Sequence, residues 1–455
     1  MQAWRASLLW FDPHADEPHP RYEADGLLVT AAGADGVRRV VAVGAFDTLR
    51  AAYPDVPLTE RRGRLIAPGF IDLHIHYPQT DVIGSPAEGL LPWLAQYTFP
   101  HESRFADPAH ARAVARFFCD ELLRQGVTTA LTFATSHPGS VDALMAEAEA
   151  RGLRCIAGKV LQDRHSPDGV RDRTEQSLRD TEALIIRWHG RARLGYAITP
   201  RFAPSCSDAQ MRGAGELATR YPDVWIQSHV AENVDEVRWV RELYPHDRSY
   251  LAVYERFGLL RERAVYAHGI YLDADDQRAL AQSGAAIAVS PTSNLFLGSG
   301  FFDYATARAG GVRLGLASDV GGGMSFSPFA TMRAAYTVGR AAVRGDGRPK
   351  TGVSLSPFDL WWQHTAGAAR ALGLGGVVGS LAPGSEADFV VLDPAATPLL
   401  ARRTAQAESL AEWLFALIML ADDRAVTEVV VAQGAGTQIF TGGASAVHAG
   451  PPPLR

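Results

Sequence analysis

Ala67-Pro68-Gly69-Phe70-Ile71-Asp72-Leu73-His74-Ile75-His76 is the stretch on which the reading of this chain turns. Residues 70–73 form a short, mostly apolar run opened by Pro-Gly, the pattern of a buried strand. Side chains two apart on a strand point to one side, so His74 and His76 can reach a single metal ion together. A lone histidine at such a place is more often a satisfied core or surface residue. A pair at the end of an apolar strand asks instead whether the rest of the chain supplies further ligands.

Outward from this stretch, strand-like runs recur at 127–133, 155–160, 194–199, 224–228, 264–267, 285–290 and 312–318. Helical patterns separate them, at 108–125 (opened by Asp107 as N-cap and closed before Gly126), 140–151, 172–189 and 233–243. Such β-then-α alternation predicts an α/β fold, a parallel (β/α)8 TIM-like barrel over 68–376, with a doubly wound open sheet as the alternative. The long segment 77–107 follows the first strand and carries Trp93, Tyr97 and Phe99; a loop of that length in a compact domain reads as an active-site wall. Short β-like runs at 26–30 and 38–43 precede the barrel. A helical run at 356–372 and strands at 382–392 and 428–431 follow it. The outer parts, 1–67 and 377–455, are expected to pair as one small β-sandwich domain. Pro451-Pro452-Pro453 is the one low-complexity tract.

At 455 residues the chain suits a large domain plus a smaller one. Lys and Arg are scattered and the net charge is −6, which argues against a nucleic-acid groove. Cys119, Cys155 and Cys206 lie far apart without a C-x-x-C, which excludes a cysteine zinc site and disfavours a disulfide framework. The apolar runs 6–11 and 413–421 are too short for a signal h-region and a membrane span respectively. A cytoplasmic protein without membrane or nucleic-acid partners is expected.

Catalytic groups of such a barrel project from the C-terminal ends of its strands. The first strand ends in His74-Ile75-His76, the fifth in Ser228-His229, the sixth in Ala267-His268 and the eighth in Ser318-Asp319. His74, His76, His229, His268 and Asp319 are therefore the expected metal ligands, a nitrogen and oxygen set that suits Zn²⁺ first and Fe²⁺ second. Asp319 could both bind the ion and accept a proton from its water, and His268 is either a full ligand or an orienter of that water. Glu232, three residues past His229, is placed to shuttle protons at the barrel mouth or merely to favour a helix dipole. A two-metal site usually needs an anionic bridge. Lys159 is the only nearby candidate for a carbamylated one, and the fourth strand ends instead in Thr199-Pro200-Arg201, so one metal per subunit is expected. His101, His110, His137, His189, His246 and His364 read as caps or surface residues.

The Pro-Gly-Phe-Ile-Asp-Leu-His-Ile-His pattern, with later His, His and Asp at strand ends, resembles the amidohydrolase superfamily. Further segments bring the resemblance to its guanine-deaminating branch. They are His74-Ile75-His76-Tyr77-Pro78-Gln79-Thr80, Leu91-Pro92-Trp93-Leu94-Ala95-Gln96-Tyr97-Thr98-Phe99-Pro100, Gly158-Lys159-Val160, Thr199-Pro200-Arg201-Phe202-Ala203-Pro204-Ser205-Cys206, Ser228-His229-Val230-Ala231-Glu232-Asn233 and Ser318-Asp319-Val320-Gly321-Gly322-Gly323.

The resemblance implies zinc-dependent hydrolysis of guanine to xanthine and ammonia in a homodimer. Water would attack C2, with Glu232, Asp319 and His268 as catalytic residues and Glu232 protonating N3. Gln79, Arg201 and Phe202 would hold the purine, and Trp93 would stand in the wall beside it. Ser318 where Thr is expected, and Ser290-Pro291-Thr292 where Cys-Pro-Asn is common, depart from the pattern. The Pro-Cys-x-x-Cys signature of nucleic-acid-editing deaminases is absent. Two alternatives remain. The same machinery could act on another aminated ring such as a triazine, pterin or oxidised purine. A barrel that had lost its chemistry could serve as a scaffold, although such a protein would be expected to have lost ligands.

Overall fold

The computed structural model describes residues 1–433 and 437–439, so the Pro451–Pro453 tail lies outside the described residues. Four strands open the chain: β1 (Gln2–Phe11), β2 (Pro20–Ala32), β3 (Arg38–Ala45) and β4 (Leu58–Pro68). The barrel strands follow as β5 (Phe70–His76), β6 (Val127–Phe133), β7 (Arg154–Gly158) with the short β8 (Val160–Leu161), β9 (Gly195–Pro200), β10 (Trp225–Val230), β11 (Ala264–His268), β12 (Ala286–Val289) and β13 (Arg313–Leu316). The last strands are β14 (Phe389–Leu392), β15 (Val426–Val430) and β16 (Thr437–Ile439).

The barrel strands pair in the order β5-β6-β7-β9-β10-β11-β12-β13, with β8 beside β9. Every pairing is parallel. β5, β6 and β9 are buried along their whole length, as strands covered on both faces must be. Just past β13 the backbone returns to β5: Asp319 N donates to His74 O at 2.9 Å and His76 N to Val320 O at 2.8 Å. These bonds join the first and last strands and dispose of the open-sheet alternative. At the N-terminal ends of the strands, the helix Ala366–Ala371 packs Ala368, Ala369 and Leu372 against Ile71, Leu73, Trp225 and Val265 and fills the barrel floor.

The expected helices form, and their caps explain their starts. Asp107 accepts from Ala109 N at 2.9 Å before the helix Pro108–Arg124. Asn233 and Glu236 make a reciprocal capping box before Val234–Leu243. The run 356–372 divides into Pro357–Gln363 and Ala366–Ala371, because His364 O turns to accept from Ile71 N at 2.8 Å instead of continuing the helix. Of 382–392 only β14 is strand.

Both chain ends build one seven-stranded sheet, ordered β16-β15-β14-β4-β1-β2-β3. Its strands alternate between two apolar faces. Trp4, Leu28 and Val40 join Phe389 and Val391 on one, while Ala3, Leu27 and Val41 lie on the other with Phe46 and Tyr53. β1 and β4 escaped the pattern reading because Arg5 and Ser7, and a polar first half in β4, interrupt their apolar runs. Arg193, just before β9, ties the sheet to the barrel. Its Nε donates to Glu386 Oε2 at 2.9 Å, Nη1 to Gly152 O at 2.7 Å, and Nη2 to Asp388. Among the described residues no helix is long and apolar enough to cross a membrane.

Candidate metal centre and active-site cavity

His74, His76, His229 and Asp319 each offer one ligand atom, and these atoms all lie within 4.8 Å of one another. His76 Nε2 is 3.1 Å from His74 Nε2 and 3.1 Å from His229 Nε2. Asp319 Oδ1 is 3.1 Å from His74 Nε2 and 3.3 Å from His76 Nε2. Tetrahedral ligands about 2.0–2.1 Å from one ion lie roughly 3.3 Å apart, so these spacings fit a single cation. Phe133, at the end of β6, packs its ring 4.9 Å from His74, 4.6 Å from His76 and 4.8 Å from His229 and holds their planes.

The hydrogen bonds of the cluster leave acceptor nitrogens turned toward its centre. His229 Nδ1 donates to Arg201 O at 2.6 Å, which leaves Nε2 a bare lone pair facing His76. His268 Nε2, on the cavity side, is buried with no hydrogen-bond partner among the described residues. Burial pushes His76 down to about 4 and His229 well below the usual histidine range, so both present neutral, ligating nitrogens. Such a donor set fits a divalent cation.

His268 stands beside the cluster rather than inside it. Its Nδ1 meets Asn294 Oδ1 at 2.8 Å, and an amide oxygen only accepts, so Nδ1 carries the hydrogen and Nε2 points into the cavity. That Nε2 is 3.4 Å from Glu232 Oε2 and 3.7 Å from Asp319 Oδ2. Glu232 is buried; its Oε1 accepts from Ser299 Oγ at 2.9 Å, and burial, with Asp319 nearby, pushes its carboxyl up to about 8. The backbone bends sharply to aim these groups, with φ of 48° at Ala231, 73° at His268 and 50° at Asp319. Left-handed φ at non-glycine residues costs free energy and clusters where side-chain aim matters.

A cavity opens beside this cluster, lined among others by Gln79, Trp93, Arg201, Phe202, Glu232 and His268. The wall expected at 77–107 is built from short turns of helix, and Leu90, Trp93 and Leu94 on it close the cavity together with Leu297. Gln79 is held at both ends: Nε2 donates to Glu102 Oε1 at 3.0 Å and Oε1 accepts from Gly321 N at 3.2 Å. The approach needs glycine, since a Cβ on Gly321 would fall 2.5 Å from Gln79 O.

Lys159 is committed elsewhere, to Asp172 at 2.9 Å, Ser177 at 2.8 Å and Val160 O at 3.1 Å. Of the histidines set aside, His137, His189 and His364 cap helices and His246 is exposed. His364 is nevertheless buried, as is His101. The pattern reading passed over Asp72, Glu102, Phe133, Asn294 and Ser299. Asp72 Oδ1 accepts from His74 N at 3.2 Å and Ser318 N at 3.1 Å, pinning both ligand-bearing segments. Its place inside the quoted stretch was the one available signal; the others become visible only as neighbours in space.

The sequence model of the amidohydrolase family matches residues 65–439, taking in the whole barrel and β14 and β15. The chain belongs to the amidohydrolase family. This amidohydrolase is similar to the guanine deaminase of Escherichia coli (strain K12), 42% identical over 437 residues that span 95% of this chain and 96% of that one. It superimposes on the solved structure of E. coli guanine deaminase with a TM-score of 0.90 at 40% identity, covering 95% and 99% of the two chains. The structure of guanine deaminase from C. acetobutylicum with bound guanine in the active site matches with a TM-score of 0.86 at 29% identity, over 96% and 100%. The amidohydrolase family is metal-dependent, in keeping with the His and Asp cluster at the barrel mouth.

Proposed function

We propose that this amidohydrolase deaminates guanine hydrolytically, giving xanthine and ammonia. The observation that carries the reading is one cavity lined jointly by metal-ligand side chains and by Gln79, Arg201 and Phe202. Similarity to guanine deaminases over nearly the whole chain supports the same substrate.

His74, His76, His229 and Asp319 would hold one Zn²⁺ per subunit, with Fe²⁺ as the second choice for this donor set. When bound, the ion supplies Lewis acidity that makes water nucleophilic near neutral pH. Asp319 uses Oδ1 toward the His74–His76 pair, which leaves Oδ2, on the His268 side, to take the proton of the attacking water. His268 orients that water through Nε2. Glu232, anchored through Oε1 by Ser299, uses Oε2 to protonate N3 as the C2–O bond forms and then takes back the proton of the new C2–OH as the C2=O bond forms, while the proton held by Asp319 goes to the amine as the C2–N bond breaks. Guanine and water thereby balance xanthine and ammonia.

Arg201 would donate to the 6-carbonyl, Phe202 would stack on the base and Gln79 would meet the ring edge, with Trp93 beside it in the wall. Adenine would leave these polar groups unpaired, the basis of its rejection. We further assign residues 68–376 to the catalytic barrel and 1–67 with 377–455 to the small β-sandwich domain, infer a cytoplasmic protein from the short apolar runs read in its sequence, and infer a homodimer, as the family resemblance implies.

Metal-replete protein incubated with guanine should release xanthine and ammonia in equal amounts, with adenine and cytosine far slower. Turnover of a triazine or pterin in preference to guanine would replace the proposed substrate, and no turnover of any aminated ring would end the enzymatic reading.

A further inference from the structure

Glu102 is a fully buried carboxylate in the cavity wall, and no step of the proposed chemistry uses it. It ends the short helix Phe99–Glu102. Its Oε2 accepts from Arg201 Nη1 at 2.7 Å, and its Oε1 accepts from Arg201 Nη2 at 3.2 Å and Gln79 Nε2 at 3.0 Å. Phe99, one turn earlier, sets its ring centroid 4.9 Å from the Arg201 guanidinium carbon. One side chain thus grips the two polar residues that face the base.

We infer that Glu102 is the positioning residue for purine recognition, holding Arg201 and Gln79 as a fixed donor array for a 6-oxo purine edge. The inference rests on the reading of Arg201 and Gln79 as base-binding residues.

The argument is electrostatic and geometric. Arg201 is 3% exposed, and a buried guanidinium without a counter-ion is strongly unfavourable. The other carboxylates lining its cavity are Glu232, Glu236 and Asp319. Pairing with Glu232 or Asp319 would disable the groups assigned to proton transfer and ion binding. Glu102 removes that competition. The two-pronged contact also fixes the guanidinium plane, so the N–H groups left over present one defined edge.

Glu102 gives Gln79 its polarity as well. With Nε2 donating to the carboxylate and Oε1 accepting from Gly321 N, the amide cannot flip to suit a different base. Because Glu102 and Phe99 both lie on the wall, the recognition array exists only while the wall is seated against β9.

The test compares binding of hypoxanthine, which carries the 6-oxo group, with that of purine, which lacks it. Dissociation constants would be measured by calorimetry on metal-replete wild type, Glu102→Gln and Glu102→Asp, with metal content and guanine turnover recorded for each. Glu102→Gln should weaken hypoxanthine on the order of tenfold or more, move purine less than about twofold and leave the metal bound. Glu102→Asp, which keeps the charge, should recover part of the loss. If Glu102→Gln does not fold, the same comparison is made with Glu102→Asp against wild type, where hypoxanthine alone should weaken.

Equal weakening of both ligands, or of neither, would overturn the positioning role. Wild type that binds hypoxanthine selectively but does not deaminate guanine would overturn the proposed function instead, and the two failures are therefore distinct.

Discussion

Asp319 and His74 are joined twice, once through the backbone and once through their side chains. Asp319 N donates to His74 O at 2.9 Å, and Asp319 Oδ1 lies 3.1 Å from His74 Nε2. The first contact closes the barrel between its first and last strands; the second brings residues 245 positions apart in sequence into one cluster that could hold a metal ion. Barrel closure and site assembly are thus one event, which is why the ligand geometry requires the complete barrel.

Replacing a ligand should therefore cost metal and activity together. His229→Ala removes one of the converging nitrogens and should abolish both metal retention after dialysis and guanine turnover. Metal analysis alongside a xanthine assay checks this, and a variant that kept its metal in full would displace His229 from the ligand set.

Glu232 does not belong to the four-ligand group, so its removal should separate the two properties. Glu232→Gln should keep wild-type metal content while kcat falls by roughly 10²–10⁴, the range of general acid–base contributions. Wild-type turnover in this variant would discard the proton-shuttle role.

His364 should make the fold sensitive to acid. Burial lowers its pKa from the ordinary 6.5 to about 4 in the folded chain, while its Nδ1 sits 3.1 Å from Ile71 O. As pH falls below 6.5 the unfolded chain takes up a proton that the folded chain refuses. This contribution to stability is complete above pH 6.5 and is lost progressively toward pH 4, by about 3 kcal/mol. Urea midpoints measured between pH 7 and 4.5 should decline more steeply for wild type than for His364→Leu, and parallel declines would contradict the assignment.

Arg193 should be indispensable to the junction of sheet and barrel. Its side chain is 1% exposed and engages both Glu386 and Asp388. Arg193→Met would strand Asp388, while Glu386 keeps its pairing with Arg154, costing about 3–5 kcal/mol. Chemical unfolding should show the loss, and Asp388→Asn in the same chain should recover part of it.

Much of the barrel was legible because its signals are local. Apolar runs bounded by turn residues marked all eight barrel strands, and Asp107 marked a helix start through a hydrogen bond to the residue two positions on. The ligand types were legible for the same reason, since a strand's C-terminal end is a position along the chain. The small sheet was harder. β1 carries Arg5 toward Asp25 and Ser7 toward Ala24 O, polar contacts made across strands that interrupt any alternation read along one strand.

By itself, then, the sequence determined the β/α succession, the residues at the strand ends and the chemistry those residue types can perform, because each depends on spacing of a few positions. Tertiary structure alone decided that His268 stands next to the ligand group, that Asn294 sets its tautomer, and that Glu102 grips Arg201 from 99 positions away. The physical reason is that hydrogen-bond direction and charge pairing act over about 3 Å in space. Distance along the chain carries no record of them until the barrel has closed.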